Sequence, residues 1–292
     1  MLKGLLEEMR PRQWTKNGVV LAGVVFSHQA SVPEQIARVL IAFASFCLLS
    51  SAGYVFNDLR DLANDRFHPR KRLRPLASGR LTPGVARAAM VALALLGLGL
   101  AGALGGRFAV VAGAYLALSL GYTLLLKRIV LLDVMGIAFM FLLRATAGVD
   151  ALDPRPALSP WLLVCTLFLA LFLAVVKRRH ERVTLSEDAE KHRSILAEYP
   201  PELLDQLVPV VTGSTIIAYA LYTISPAGAQ VAPSGKMVYT IPFVVYGIFR
   251  YLYLVYRQGK GGAPSEILLG DGPLLLNVLL WGLVIFLILY FG

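Results

Sequence analysis

Three aspartates at helical spacing are the most chemically informative feature of the sequence. Asp58, Asp61 and Asp65 follow one another at i, i+3 and i+7, so a helix through them places all three carboxylates along one face. Neighbouring carboxylates repel each other, and such an arrangement usually needs a cation to neutralise it. Oxygen ligands without histidine or cysteine are typical of Mg²⁺, which binds a few carboxylates together with substrate phosphates. The pattern therefore predicts a Mg²⁺ site formed by these aspartates.

A group of basic residues follows the aspartates directly along the chain: Arg66, Arg70, Lys71, Arg72 and Arg74, with Arg80 at its edge. An acidic helix face beside a basic loop suits a metal-chelated polyphosphate, whose remaining negative charge needs cations. The alternative is an ordinary loop whose charges serve membrane topology and salt bridges. The aspartates begin where an apolar segment ends, which favours the chemical interpretation. Asn57, just before them, either orients a ligand or caps the helix.

The elements that must position these residues are membrane helices. Of the 292 residues, 57% are hydrophobic and only 16% are charged, against about 25% charged residues in a soluble domain. This composition excludes a soluble enzyme with a single membrane anchor, and it excludes a disordered chain. A helix needs about 20 apolar residues to span a bilayer. On that measure we predict nine spans, near 16–31, 34–54, 83–104, 107–126, 130–149, 158–176, 207–226, 236–256 and 272–291.

The basic residues give an independent test of this topology. The net charge is +10, which the positive-inside rule explains without a nucleic-acid partner. The N-terminal segment and every second connection carry 21 lysines and arginines, whereas the other connections carry three, Arg107, Arg155 and Lys236. This bias predicts a cytoplasmic (inner) membrane protein with its N-terminus in the cytoplasm. The two longest connections, 55–82 and 177–206, both fall on the cytoplasmic side and are candidates for function.

Two ionisable residues lie within predicted spans. Asp133 and Arg144 are eleven residues apart, close to three helical turns, and therefore share a helix face. Charged groups inside a span are costly and usually face an interior cavity. The alternative for Arg144 is that it reaches outward towards Asp150.

Taken together, these residues carry a resemblance to a known family. Asn57-Asp58-x-x-Asp61-x-x-x-Asp65 after a second span resembles the UbiA superfamily of intramembrane prenyltransferases, and within it the decaprenyl-phosphate phosphoribosyltransferase branch. The resemblance extends over nearly the whole chain. It includes the stretch from Arg10 to Asn17, Lys71-Arg72-x-Arg74-Pro75, Tyr122-x-x-x-x-Lys127 with Asp133, Arg144-Ala145-x-Ala147-Gly148, Lys177-Arg178, Arg250-Tyr251, Gly261-Gly262-x-Pro264-x-Glu266 and Asp271.

The resemblance implies an all-α, polytopic membrane protein. We expect a single domain, 1–292, with nine transmembrane helices around a central cavity open to the cytoplasmic side. It also implies a Mg²⁺-dependent transfer of 5-phosphoribose from phosphoribosyl diphosphate to a polyprenyl (decaprenyl) phosphate, with release of diphosphate. Asp58 and Asp61 are then the catalytic residues, with Asp65 as a third metal ligand. The resemblance is also compatible with a homo-oligomer. The implied substrate-binding residues are Asn57, Arg12, Lys16, Lys71, Arg72, Arg74, Tyr122, Lys127, Asp133, Arg144, Lys177 and Arg178.

Position along the chain suggests how the basic residues divide their roles. Arg12 and Lys16 precede the first span and either grip the lipid phosphate or reach to lipid headgroups. Lys127 opens a short cytoplasmic turn, where we expect it to bind a phosphate. Typical aromatic prenyltransferases of the superfamily have a second Asp-x-x-x-Asp motif after the sixth span, but here that place holds Lys177-Arg178-Arg179-His180-Glu181-Arg182. We therefore expect Lys177 and Arg178 to bind the 5-phosphate, with Glu187 and Asp188 as an alternative, displaced acidic motif.

Two other functions are compatible with parts of the pattern. A UbiA-type aromatic prenyltransferase, making a quinone or haem precursor, shares the metal motif but needs an apolar acceptor pocket instead of extra cations. The second alternative is a transporter or a non-catalytic lipid-binding protein. Only the charges within the predicted spans, Asp133 and Arg144, favour it. The phosphoribosyl acceptor is already largely a dianion near neutral pH, because the second pKa of a phosphate monoester is about 6. Such a reaction needs no general base, which agrees with a sequence that has only four histidines.

Overall fold

The computed structural model describes residues 2–67, 71–185, 194–225, 235–259, 261 and 264–291, and within these ranges the only regular elements are helices. The α-helices are α1 (Leu2–Met9), α2 (Ala22–Phe26), α3 (Pro33–Asp65), α4 (Pro83–Leu104), α5 (Gly106–Leu124), α6 (Leu132–Asp150), α7 (Pro160–Leu185), α8 (Pro201–Ile224), α9 (Ile241–Gln258), α10 (Pro264–Gly270) and α11 (Gly272–Phe291). Short 3₁₀ segments occupy Pro11–Leu21, Lys71–Leu73, Leu126–Arg128, Ser194–Leu196 and Lys236–Thr240.

Eight helices of the described ranges are long and apolar enough to cross a bilayer, which makes this a multi-pass membrane protein. They correspond to eight of the nine predicted spans. The predicted first span, 16–31, instead falls on the 3₁₀ segment Pro11–Leu21 and the five-residue helix α2. Its apolar core is short, and the chain turns at His28, which has a left-handed φ of 58°. Nine spans around a central cavity therefore stays a prediction.

The chain forms two compact units. The first unit contains Met1–Val24, Ala30–Lys127 and Leu143–Pro156, and the second contains Val25–Gln29, Arg128–Leu142 and Ala157–Gly292. Helix α6 contributes its first half to the second unit and its second half to the first. The acidic motif lies in the first unit.

In the first unit, the long helix α3 packs against α4, α5 and the 3₁₀ segment Pro11–Leu21. The approach of α3 to α4 is close, because a Cβ atom at Gly97 would lie 2.8 Å from the side chain of Leu49. The hydroxyl group of Ser45 donates a hydrogen bond of 2.8 Å to the carbonyl oxygen of Gly97 at the same place. Small residues and interhelical hydrogen bonds of this kind hold membrane helices together where lipid removes the hydrophobic driving force.

In the second unit, α7 packs against α8, and α9 packs against α8 and α11. Its core includes Phe172 of α7, Leu204 of α8, and Tyr251 and Leu254 of α9, all of them buried. The rings of Phe172 and Tyr251 meet edge to face with centroids 5.5 Å apart, a favourable geometry for aromatic pairs.

Candidate active site

The acidic motif lies on the last three turns of α3. This helix continues for eleven residues beyond the predicted end of its apolar span, and it ends at Asp65. Asp58, Asp61 and Asp65 therefore share a helix face, as their spacing predicts. Asp58 and Asp65 are each 2% exposed, and the side chain of Asp61 is 26% exposed. Buried carboxylates are unfavourable unless they are paired and hydrogen-bonded, so their partners decide what this face can do.

Each of the three carboxylates pairs with basic side chains from other segments of the first unit. Arg10 Nη2 donates to both oxygens of Asp58, at 2.6 and 2.5 Å. Arg74 Nη1 donates to Asp58 Oδ1 at 3.0 Å and to Asp65 Oδ2 at 2.6 Å. Basic side chains from three separate segments thus converge on one helix face. We call the three aspartates and their basic partners the acid–base network. Its members are Arg10, Asp58, Asp61, Asp65, Lys71, Arg74 and Lys127.

Lys127 and Lys71 complete the acid–base network. Lys127 Nζ donates to both oxygens of Asp61, at 2.8 and 2.9 Å, and to Asn57 Oδ1 at 3.1 Å. Lys71 Nζ lies 3.4 Å from Asp65 Oδ1. Asn57 in turn donates to Asp58 Oδ1 at 3.3 Å. Asn57 sits in the middle of a continuous helix and therefore does not cap it; its amide instead orients the Lys127 ammonium and the Asp58 carboxylate.

The donor set suits a divalent cation by its chemistry, because it consists of carboxylate and amide oxygens. Arg74 Nη1 contacts Asp58 and Asp65 together, at 3.0 and 2.6 Å. Within the described ranges, no three acidic, histidine or cysteine side chains converge on one metal position. The Mg²⁺ site at these aspartates stays a prediction.

Arg10 is a network residue that the sequence analysis did not select as a site residue. It follows α1 in a left-handed conformation, with φ of 55°, which is uncommon for a residue other than glycine. Its guanidinium group lies 5.2 Å from the ring centroid of Tyr54, on the helix that carries the aspartates. The strained backbone directs the Arg10 side chain towards Asp58, whereas the predicted Arg12 is exposed.

Glu8 is a second residue that sequence reasoning missed. It is 1% exposed, and neither of its carboxylate oxygens has a hydrogen-bond partner in the described part of the chain. Its carboxyl group faces that of Asp58, and burial together with this neighbouring carboxylate raises the pKa of Glu8 to about 7. The sequence did contain a usable pattern: Glu8 lies one helical turn after Gly4, which is also buried, whereas Glu7 lies on the exposed face of α1.

Two other predicted substrate-binding residues, Lys16 and Arg144, also lie in the first unit. Arg144 is 4% exposed and does not reach outward towards Asp150, because its Nε donates to Asn17 Oδ1 at 2.7 Å. Its Nη2 also donates to the hydroxyl group of Tyr115 at 2.6 Å. Asp150 pairs instead with Arg155. The interior alternative for Arg144 is therefore the one observed.

Asp133 and Arg178 form a separate ionic cluster inside the second unit. Arg178 Nε donates to Asp133 Oδ2 at 2.5 Å, and Arg178 Nη1 pairs with Glu181. The Tyr199 hydroxyl donates to Asp133 Oδ1 at 2.5 Å and accepts a hydrogen bond from the backbone N–H of Leu131 at 2.8 Å. Asp133 is 0% exposed and Arg178 is 2% exposed. These contacts fix the positions of both side chains, and substrate binding by Asp133 and Arg178 stays a prediction.

The remaining predicted site residues are more exposed or make longer contacts than the members of the acid–base network. Arg72 is exposed, and Tyr122 is partly buried. Lys177 Nζ lies 3.6 Å from Glu181 Oε1. Glu187 and Asp188, the alternative acidic motif, lie outside the described residues, as does Arg70.

Comparison with known proteins identifies the family. The sequence profile of the UbiA prenyltransferase family matches residues 18–267. The chain belongs to this family. A decaprenyl-phosphate phosphoribosyltransferase of Corynebacterium glutamicum is 36% identical, over 98% of this chain and 87% of the relative. The enzyme of the same name from Mycolicibacterium smegmatis is 33% identical, over 96% of this chain and 91% of the relative.

Solved structures of the family have the same fold. A UbiA homologue from Archaeoglobus fulgidus, bound to GPP and Mg²⁺, superposes with a TM-score of 0.72 at 19% identity, over 97% of this chain and 99% of that structure. A homologue from Aeropyrum pernix superposes with a TM-score of 0.66 at 17% identity, over 91% of this chain and 96% of that structure. The resemblance drawn from the aspartate motif is therefore confirmed at the level of family and fold.

Proposed function

We propose that this UbiA-family enzyme transfers 5-phosphoribose from phosphoribosyl diphosphate to a polyprenyl phosphate of the decaprenyl type. The observation that carries the proposal is the acid–base network of the first unit, where each of three aspartates pairs with basic side chains from other segments. Acids suited to a metal ion and bases suited to phosphates meet at one helix face. The two relatives named for this activity, at 33–36% identity over nearly the whole chain, support the same function.

Binding of the donor exchanges partners within the network. We assign Mg²⁺ to Asp58, Asp61 and Asp65, and the bound ion would neutralise charge on the departing diphosphate. With a metal ion held by the three aspartates, Arg10, Lys71, Arg74 and Lys127 would be available to donate to phosphate oxygens. Without substrate, the same bases compensate the aspartates and keep buried charge paired. Asn57 holds Lys127 in place during this exchange.

Transfer of the phosphoribosyl group depends on orienting the two substrates and on stabilising the negative charge of the diphosphate, rather than on moving a proton. An oxygen of the acceptor phosphate forms a bond to the anomeric carbon of ribose, and the bond from that carbon to the diphosphate oxygen breaks. The electron pair leaves with the diphosphate, which the freed bases stabilise. A phosphate monoester is already largely ionised near neutral pH, so the acceptor needs no general base.

The membrane arrangement forms part of the proposal. We place the N-terminus and the acid–base network on the cytoplasmic side of the inner membrane, because most lysines and arginines lie in that set of connections. The family match from residue 18 to residue 267 runs through both units and supports one domain over 1–292. Lys177, Tyr122, Arg12 and Arg72 remain predicted substrate-binding residues, and homo-oligomer formation remains a prediction.

The test uses purified full-length protein with phosphoribosyl diphosphate, decaprenyl phosphate and Mg²⁺. We expect diphosphate release and a phosphoribosyl lipid by mass spectrometry, with both lost in EDTA. Asp61→Asn should lower turnover by at least about 100-fold, since it removes a proposed metal ligand and the partner of Lys127. Glu7→Gln is the matched control, because Glu7 is exposed and pairs only with Arg80 in the described ranges. Unchanged turnover in Asp61→Asn would exclude the metal assignment.

A further inference from the structure

Glu8 differs from the three aspartates of the acid–base network in having no basic partner among the described residues. It is 1% exposed, and both of its carboxylate oxygens are buried without a hydrogen-bond partner in the same part of the chain. Asp58, Asp61 and Asp65, in contrast, each pair with an arginine or a lysine. Because a buried carboxylate is unfavourable unless a cation or hydrogen-bond donors compensate it, the Glu8 carboxylate indicates a ligand.

The face of α1 that carries Glu8 packs against the segment that follows α3. Gly4 lies one helical turn before Glu8 on this face, and a Cβ atom at Gly4 would lie 3.5 Å from Pro75 Cβ. Leu76, the next residue after Pro75, is 2% exposed. Protein therefore covers Glu8 on this side, and a ligand of its carboxylate oxygens must be small.

The two residues after Glu8 attach the end of α1 to the helix that carries the acidic motif. The carbonyl oxygen of Met9 accepts a hydrogen bond of 2.9 Å from the hydroxyl group of Ser51, and Arg10 donates to both oxygens of Asp58. Ser51 and Asp58 are seven residues apart and therefore lie on one face of α3. The end of α1 thus lies along this face, and the carboxyl group of Glu8 faces that of Asp58.

A divalent cation is the small ligand that suits these surroundings. Two carboxylates that face each other repel, and a cation held by both removes the repulsion. Mg²⁺ is usually held by one or two carboxylates together with substrate phosphates, so a pair of carboxylates is sufficient. We propose that Glu8 is a ligand of the divalent cation of this enzyme and binds it together with Asp58. This inference deepens the proposed function and rests on its assignment of a metal ion to Asp58, but it adds a ligand from outside the aspartate motif.

The test measures the binding of Mn²⁺ to purified full-length protein without substrates, by electron paramagnetic resonance. Glu8→Gln keeps the shape of the side chain and removes its charge. Because cation affinity depends on the number of charged ligands, we expect the Kd for Mn²⁺ to rise at least about tenfold. Glu7→Gln is the matched control: it removes the same charge from an exposed position of the same helix, and its Kd should stay within about twofold of wild type. An unchanged or lower Kd in Glu8→Gln would overturn the proposal.

A change of ligand type separates direct binding by Glu8 from a long-range effect of its charge. A thiolate is a soft ligand and prefers a soft cation such as Cd²⁺ to Mn²⁺ or Mg²⁺. Glu8→Cys should therefore bind Cd²⁺ at least about tenfold more tightly than Glu8→Gln does, measured by isothermal titration calorimetry. Both variants retain Cys47 and Cys165, so Cd²⁺ binding by these two residues contributes equally. Equal Cd²⁺ affinities in the two variants would overturn the proposal, because residue 8 would then not contact the cation.

Cation binding without substrates also separates this inference from the proposed function. If Glu8→Gln binds Mn²⁺ more weakly than wild-type protein, but wild-type protein never transfers phosphoribose, Glu8 remains a cation ligand and the proposed function fails. If wild-type protein transfers phosphoribose and Glu8→Gln binds Mn²⁺ as tightly as wild type, the proposed function stands and this inference fails.

Discussion

Replacing Arg178 by methionine removes the guanidinium group that bridges Asp133 and Glu181 in the second unit. Asp133 is fully buried and accepts a hydrogen bond from the Tyr199 hydroxyl. Breaking a buried ion pair by removing one partner costs about 3–5 kcal/mol, because the other charge stays desolvated. This corresponds to about two to four powers of ten in the unfolding equilibrium. We therefore expect Arg178→Met to be severely destabilised, with an unchanged KM for phosphoribosyl diphosphate in the fraction that remains folded.

The assay is chemical unfolding in mild detergent, followed by tryptophan fluorescence. Arg179→Met is the matched control, because Arg179 pairs with Asp205, whose side chain is 53% exposed, and an exposed pair contributes at most about 1 kcal/mol. The double variant Asp133→Asn/Arg178→Met should be less destabilised than the sum of its single variants, since it leaves no unpaired charge at this contact. Unchanged stability in Arg178→Met, with a raised KM for the donor, would refute the positioning role and restore phosphate binding.

Two further predictions concern the first unit. Glu8→Gln should stabilise the metal-free protein at pH 7.5 by on the order of 3 kcal/mol. The pKa of Glu8 is raised from 4.5 to about 7, so the contribution of Glu8 to wild-type stability is highest below pH 4.5, is lost as the pH rises to about 7, and stays low above it. Unfolding from pH 4.5 to 8 in EDTA checks this, with Glu7→Gln as control; equal pH slopes in wild type and Glu8→Gln would contradict it. Arg74→Met should tighten Mn²⁺ binding without substrate, measured by electron paramagnetic resonance, because the guanidinium group of Arg74 no longer competes for Asp58 and Asp65, and it should raise the KM for the donor. Weaker Mn²⁺ binding would show that Arg74 does not occupy the metal position.

Much of the fold was predictable because lipid imposes simple rules on sequence. Span α4 was predicted at its observed bounds, and the spacing of the aspartates correctly predicted a shared helix face. The predicted first span is divided between a 3₁₀ segment and a five-residue helix, so the ninth span stays a prediction. Its apolar run is short and is interrupted by His28 and Gln29. Hydropathy located only the apolar part of α3, and the spacing of the aspartates indicated its polar continuation to Asp65.

The sequence predicted candidate site residues but not their ion-pair partners. Charge type and spacing selected Asp58, Asp61 and Lys127, whereas the choice between Arg10 and Arg12 depends on a left-handed backbone turn that no local pattern encodes. Arg178 was predicted as a phosphate ligand because it replaces an acidic motif. The structure pairs it with Asp133, 45 residues away in sequence, and such long-range pairing cannot be read from one chain. Phosphate binding by Arg178 stays a prediction.

The most direct test of the central claim compares the two possible donors, phosphoribosyl diphosphate and a polyprenyl diphosphate, with the same protein preparation. Purified protein is incubated with Mg²⁺ and either ³²P-labelled phosphoribosyl diphosphate plus decaprenyl phosphate, or labelled polyprenyl diphosphate plus an aromatic acid. We predict that label enters the lipid fraction only from phosphoribosyl diphosphate, and that EDTA abolishes this transfer. Prenylation of the aromatic acid, with no phosphoribosyl lipid formed, would contradict the account.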